Sequence, residues 1–424
     1  MANKSTARIR VGIIGGGLAG ATIANALIVH SHIDIEVFEA APEFSERGAA
    51  VGLSINAQNA LHQIFSSAGD LLAKAGAVNM NSTRTVLGSG PVAGTLLFDI
   101  GADVDPGKIL HRASLLRELL APLPKEILHA NKKLTSIKPR DNEGVEITFQ
   151  DGTIEHFDAI IGADGIFGTV RNHVLQDAAE ECAASPGGFW DSRNLVPFDK
   201  AKKVLGEQYF DVDRQWGWLG DGAFILHDIL EDRTMVQCII SAAEPDPPKD
   251  RKTPLTKEFL NKTLDKWLDG PIAKGIIELI LDQPDPQGYS QWEHKLTKTY
   301  ANGFVCVAGD AAHATTPWQG TGAGMAIEDA MVLGALFGKV TSSKDIPAAF
   351  KAYDEIRRPR CQRIIDSSRE TARLFCGMNP KVGLDPDKLR EVIRPRWNSV
   401  FGLDMEAHKV EAIRLFVDSL SDPS

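Results

Sequence analysis

Residues Arg8 to Ile14, rich in Val and Ile, read as a short buried strand; a glycine turn follows, then a helical stretch from Leu18 to about Val29 and a strand at Asp34-Ile35-Glu36-Val37-Phe38. This order predicts a β-α-β unit. Helical spacing returns near Asn56 to Ser67 and Ala113 to Leu120. Lys132 to His156 alternates apolar and polar positions around an Asp151-Gly152 turn, the pattern of β-hairpin material, and Asp158 to Ile161 reads as another buried strand. From about Cys182 to Pro286 the texture changes. Strand-like runs at Gly206 to Asp213, Gly217 to His227 and Thr234 to Ser241 precede a Pro/Asp-rich loop, Glu244 to Pro254, and helical patterns at Thr256 to Leu268 and Ile272 to Leu281. A short strand, Phe304 to Ala308, then leads through a glycine-rich turn to a helix from Gly322 to Leu336, and a long helical pattern runs from Ile346 to Phe375. The tail past Pro380 is less legible.

Charge and cysteine usage narrow the function classes. Lys and Arg number 46 against 56 Asp and Glu, a net charge of −10, so the chain lacks the basic footprint of a nucleic-acid binder. Phosphate-bearing ligands must then be held by backbone dipoles and a few placed arginines. The five cysteines are scattered, with no C-x-x-C pair, which implies reduced thiols in a cytoplasmic setting and no structural zinc. Lys4, Arg8 and Arg10 precede the run Val11 to Val29, and Ala24-Asn25-Ala26 resembles a signal-peptidase site. Glycines 15, 16, 17 and 20 break that run, so a leader is not expected. Elsewhere no 18 uninterrupted apolar residues occur, so neither a transmembrane helix nor stable membrane association is expected.

Three segments carry chemistry. Gly15-x-Gly17-x-x-Gly20 lies between strand and helix: the first glycine makes the tight turn, the second admits a pyrophosphate, and the third lets helix and strand pack closely. The helix N-terminus offers free N–H groups to phosphates. Glu39, ending the second strand, is placed to accept from ribose hydroxyls. This predicts an adenine dinucleotide without separating FAD from NAD. Gly309-Asp310-Ala311-Ala312-His313 ends another strand, and Pro317-Trp318-Gln319-Gly320-Thr321-Gly322-Ala323-Gly324 opens the helix containing Glu328-Asp329-Ala330. An aspartate there can bind a ligand hydroxyl, and the glycine turn offers N–H groups to negative charge; glycines serving packing alone are the other reading. Between them, Asp158 to Arg171 again runs strand, Asp164-Gly165 turn, helix, with Arg171 either functional or merely solvated.

In this order the three motifs resemble the class A FAD-dependent aromatic hydroxylases, over roughly residues 8 to 375. His111-Arg112-Ala113 and the Gln319 to Gly324 turn resemble the salicylate hydroxylase-like branch. The resemblance implies an α/β fold: a Rossmann-like FAD-binding domain in two parts, 1–181 and 287–345, an inserted β-sheet-plus-helix substrate domain, 182–286, and a C-terminal helical region, 346–424, with a long helix. It also implies FAD contacts at Gly15, Gly17, Gly20, Glu39, Gly52, Arg112, Asp164, Asp310, Gly322 and Ala323, with Arg47 to Gly52 as a loop beside the flavin and His313 as supporting structure. Arg193 resembles an arginine that faces the aromatic substrate in dearomatising phenol hydroxylases. The companion tyrosine of those enzymes falls next to His227, where this chain has Asp228, a departure from that pattern. Arg193 and His227 are thus the candidate catalytic residues, His227 for a phenol or carboxylate, with a satisfied strand histidine as the alternative. Trp216 and Trp218 are read as sheet packing or as pocket lining.

The resemblance implies an FAD monooxygenase that uses NADH or NADPH and O2 to hydroxylate a small phenolic or aromatic-acid substrate, salicylate-type foremost, with or without loss of carbon dioxide. No metal is implied, and the lack of a second G-x-G-x-x-G implies transient docking of the nicotinamide nucleotide. Substrate position, nucleotide preference and oligomeric state are left open. The alternatives are a phenol or polyketide hydroxylase without decarboxylation, a flavin-dependent prenyl-lipid reductase, and a non-catalytic FAD-fold carrier. The second lacks the long apolar channel it would need, and the carrier tends to lose the Gly309-Asp310 segment that this chain keeps.

Overall fold

The computed structural model describes residues 8–45, 50–80, 82–100, 107–140, 144–230 and 233–421. Two sheets organise them. The first has the strand order Ala301–Asn302, Val305–Val307, Ala159–Gly162, Ile9–Ile14, Ile33–Phe38, Leu128–His129, parallel except for the first of these. Its central strands are short, mainly apolar and largely buried, as parallel strands covered by helices must be. Register makes the site: Ile14 pairs with Phe38 and Gly162, and Gly162 with Val307. All four strands therefore end on one rung, and the three motifs leave the sheet side by side at its carboxyl edge, where open α/β sheets bind ligands.

The second sheet runs Lys252–Pro254, Gln287–Glu293, Ser185–Pro197, Met235–Ala243, Ala223–Leu230, Gln215–Gly220, Thr83–Leu87, Leu96–Ile100. It differs from the expected substrate domain in extent. Thr83–Leu87 adds in parallel to Gln215–Gly220 and brings Leu96–Ile100 with it, so two strands come from before residue 182, and Gln287–Glu293, past residue 286, pairs with Ser185–Pro197. The expected strand Gly206 to Asp213 is instead a 3-10 turn, Glu207–Tyr209, and bends. Gly217 to His227 divides at Asp221-Gly222 into two antiparallel strands, since Gly222 takes a positive φ that a continuous strand excludes.

The long helix is Ile346–Phe375, as the spacing predicts, and the tail forms two more helices, Pro386–Phe401 and Met405–Ser421. Among the described residues no helix is long and apolar enough to cross a membrane.

Candidate active site

The dinucleotide turn is held by close approach. Gly15 has φ +112°, and a Cβ there would lie 2.1 Å from the Ala163 carbonyl oxygen; one on Gly20 would lie 1.9 Å from the Gly15 carbonyl oxygen. Only glycine fits either place. Glu39 braces the turn: its Oε2 accepts from the Gly16 N–H at 2.8 Å and its Oε1 from the Ala41 N–H at 2.8 Å.

Above this edge lies a cavity of ≈ 530 Å³. Gly15, Gly17 and Glu39 are among its lining residues. Arg112, Asp164 and Asp310 line it too, with Gly52, Gly322 and Ala323. The structure thus brings together nine of the ten expected cofactor residues; Gly20 sits beneath, packed on the Gly15 carbonyl. Ala50 to Gly52 border the cavity, whereas Arg47 to Ala49 lie outside the described residues.

The donor set fits FAD. Asp164 Oδ2 accepts from the Val170 N–H at 3.0 Å, while its Oδ1 is buried without a partner, and burial raises its pKa. The Thr321 hydroxyl is likewise buried and unpartnered, and the helix Gly322–Phe337 starts beside it with no side-chain cap. Such a site offers N–H groups to an anionic ring and acceptors to a hydroxyl-bearing chain.

Support for the second motif comes from below. Asp329 Oδ2 accepts from the Gly309 N–H at 2.9 Å and lies 2.6 Å from His313 Nε2; Asp329 Oδ1 accepts from Arg357 Nε at 2.8 Å. Burial opposes charge on His313, but Cys361 and Asp329 around it raise its pKa well above the usual value, so it holds its proton. Glu328 receives both Arg357 (2.6 Å) and Arg360 (2.7 Å). Arg171 is neither solvated nor a cavity residue: it is buried and donates to the carbonyls of Ala311, Ala312 and Cys182, clamping the motif from outside.

A second cavity, ≈ 380 Å³, lies under the large sheet. Both cavities share Ala50, Gly52, Arg193, Pro317 and Gly320, so Arg193 stands at the junction. Its Nε donates to Asp191 Oδ2 at 2.9 Å. His227 is not there. Alternation along Ala223–Leu230 turns Phe224, Leu226 and Asp228 to the cavity and His227 to the opposite face. His227 is 1% exposed, stacks on Trp216 and Trp218, accepts from Trp218 Nε1 at 3.4 Å, and is pushed by burial to a pKa of about 3. It is a neutral core histidine, and the two tryptophans belong to the same packing layer.

The cavity-facing residues that motif reading missed come from sheet register. Gln215, Asp228 and Gln237 form one cross-strand row. Asp228 Oδ2 accepts from Gln215 Nε2 at 3.2 Å and Oδ1 from Gln237 Nε2 at 3.4 Å. Asp228 is 2% exposed, and burial pushes its pKa up to about 7 against the opposing influence of these amides and Arg193. Ile393, Trp397 and Phe401 of a tail helix close the cavity. The departure at Asp228 was the one signal in the sequence for any of them.

These features define a flavin-dependent aromatic hydroxylase, and comparison with known proteins agrees. A family described as FAD binding domain matches residues 113–368. The 6-methylsalicylate 1-monooxygenase of Aspergillus terreus is 33% identical over 98% of this chain and 94% of that protein. A salicylate hydroxylase of Pseudomonas putida is 30% identical over 95% of this chain and 94% of its own length. A solved salicylate hydroxylase substrate complex superposes with TM-score 0.84 at 25% identity, covering 96% of this chain and 98% of that one. The chain belongs to the FAD-dependent monooxygenases, in their salicylate hydroxylase-like branch, and FAD is its cofactor.

Proposed function

We propose that the chain hydroxylates a monocyclic ortho-hydroxybenzoate of the salicylate type at its carboxyl-bearing carbon, using NADH or NADPH and O2 and releasing carbon dioxide. The supporting observation is the ≈ 380 Å³ cavity, large enough for a substituted aromatic ring and joined to the cofactor cavity where Arg193 stands. The names of the two relatives above point the same way. Salicylate, reduced nicotinamide, O2 and two protons balance as catechol, carbon dioxide, oxidised nicotinamide and water.

Bound FAD supplies the redox chemistry, taking the nicotinamide's electrons and activating oxygen. The chain's residues do the rest. Arg193 presents a guanidinium at the junction, where a carboxylate or phenolate is drawn toward the cofactor in a site of low polarity. Phe224, Leu226 and Ile239 from the sheet and Trp397 and Phe401 from the tail helix exclude water from the ring. The uncapped helix at Gly322 stabilises negative charge on the bound cofactor. All five cysteines are buried and unpaired, which fits a cytoplasmic enzyme.

The test is substrate-stimulated NADH and NADPH oxidation by the FAD-loaded chain across hydroxybenzoates and phenols, with product mass. Salicylate or a ring-substituted salicylate is expected to accelerate oxidation and yield the catechol. If no hydroxybenzoate raises the rate above the substrate-free level, the reading fails.

A further inference from the structure

The substrate cavity holds a buried carboxyl, that of Asp228. Asp228 is buried on the cavity face, and no ion pair to it is present among the described residues. Its two oxygens accept only from neutral amides, at 3.2 and 3.4 Å, so acceptor positions remain for a hydroxyl inside the cavity. The orientation of one amide is set from the cofactor side: the Ala50 N–H donates to Gln237 Oε1 at 3.3 Å, which turns Gln237 Nε2 toward Asp228. Ala50 lines both cavities, so the clamp on the carboxyl is anchored where cofactor and substrate meet.

We propose that Asp228 takes the proton of the substrate's phenolic hydroxyl, presenting the ring as a phenolate, with Arg193 two strands away on the same wall of the cavity. The phenol O–H bond breaks, its electron pair stays on oxygen, and the proton bonds to an Asp228 carboxylate oxygen; no electron is transferred. The proton returns to that oxygen when the product ring regains aromaticity. Phenolate is the more nucleophilic ring, so this step feeds the hydroxylation directly, and the inference rests on the hydroxybenzoate reading above.

The charge environment suits a base that works at neutral pH. The cationic groups lining the cavity are Arg193 from Ser185–Pro197 and Arg394 from Pro386–Phe401. On the adjoining strand, burial pushes the Cys238 thiol up, so it stays neutral, and His227 on the opposite face is neutral too. Burial leaves the Asp228 pKa at about 7, against about 10 for an ordinary phenol. A carboxylate so poised matches the operating pH that general-base catalysis favours.

The test uses the FAD-loaded full chain with salicylate as probe. In the wild type, kcat/KM is expected to rise with pH through an ionisation near 7 and then level. Asp228→Asn is expected to keep its flavin absorbance and to bind salicylate within a few-fold, yet to lose kcat by about 100-fold or more and the pH-dependent rise with it. Asp228→Glu should restore part of the rate. 2-Methoxybenzoate, which has no phenolic proton, should show the same residual rate in wild type and Asp228→Asn. A variant within about threefold of wild type in kcat, or a wild-type profile without that ionisation, overturns the inference. The wild-type profile decides alone if the variant loses its flavin. No wild-type response to any hydroxybenzoate or phenol would overturn the proposed function as well; a normal response with an unimpaired variant overturns only the role of Asp228.

Discussion

Above neutral pH the folded chain carries a carboxylate at Asp228 that two glutamine amides and a distant guanidinium solvate only in part. That placement costs stability, with a definite sign. The folded-state pKa is about 7, raised from 3.8 chiefly by burial. Between those values the folded chain binds more protons than the unfolded one, so this group's contribution to unfolding free energy falls as pH rises from about 4 to about 7. Linkage puts the whole change at about 4 kcal/mol. Asp228→Asn escapes it, so the variant should melt several degrees above wild type at pH 8, and the gap should shrink toward pH 5. Thermal melts at both pH values check this; a variant less stable than wild type at pH 8 would show that the carboxylate is better accommodated than its surroundings indicate. A residue that weakens the fold while facing the substrate cavity is the usual mark of function set against stability. The same strand shows why sequence reading reached the site and missed its chemistry. Motif comparison leads to His227 and Asp228 together, but which of two neighbours faces the cavity depends on period-2 alternation, and that is fixed by the register with the flanking strands Gln215–Gly220 and Met235–Ala243 and by which face of the sheet is turned to the cavity.

The elements most legible in the sequence are those whose signal is local. Strand, glycine turn and helix occur within a few residues at Ile14–Leu18, Gly162–Val170 and Val307–Gly322, and all three stand where the patterns predict them. Ser185–Pro197 and Thr83–Leu87 carry little local signal, because their apolar positions are sparse and their partners come from Met235–Ala243, Gln287–Glu293 and Gln215–Gly220. The tail helix Pro386–Phe401 owes its place to the cavity it closes, which no local pattern encodes. Glu328-Asp329-Ala330, by contrast, was visible as a motif with no assigned task, and the structure supplies one: the pair of carboxylates joins Gly322–Phe337 to Ile346–Phe375 through Arg357 and Arg360. Arg357 is fully buried. Arg357→Met should leave Asp329 and Glu328 short of a cation and destabilise the chain by about 3–5 kcal/mol. Because Asp329 also holds the Gly309 N–H, the variant should retain less FAD as well. Denaturant unfolding with flavin content per chain measures both. Loss of stability with full flavin retention would separate the network from the cofactor corner.

At the scale of the whole molecule, the cofactor cavity is where distant parts of the chain meet. Its lining runs from Ile14 through Gly52, Arg112 and Asp164 to Arg193 of the large sheet and then to Asp310 and Ala326. A ligand filling it touches segments spread between residues 14 and 326 of the folded chain and finds no such arrangement in the unfolded one. Binding that is exclusive to the folded state stabilises it by about 2.7 kcal/mol at a ligand concentration of 100 Kd. The melting temperature of the apoprotein should therefore rise steadily with the logarithm of added FAD. Asp310 isolates that coupling, since it is exposed at the cavity and no ion pair to it is found among the described residues. Asp310→Ala should leave the apoprotein melting temperature unchanged and move the FAD dependence to concentrations at least about tenfold higher, a loss of about 1.4 kcal/mol in binding. Differential scanning fluorimetry across an FAD series, on wild type and variant side by side, reads both quantities. If the two curves superpose, Asp310 is not part of the grip on the cofactor, and the coupling between the amino-terminal turn and the Gly309-Asp310 corner must run through backbone contacts alone.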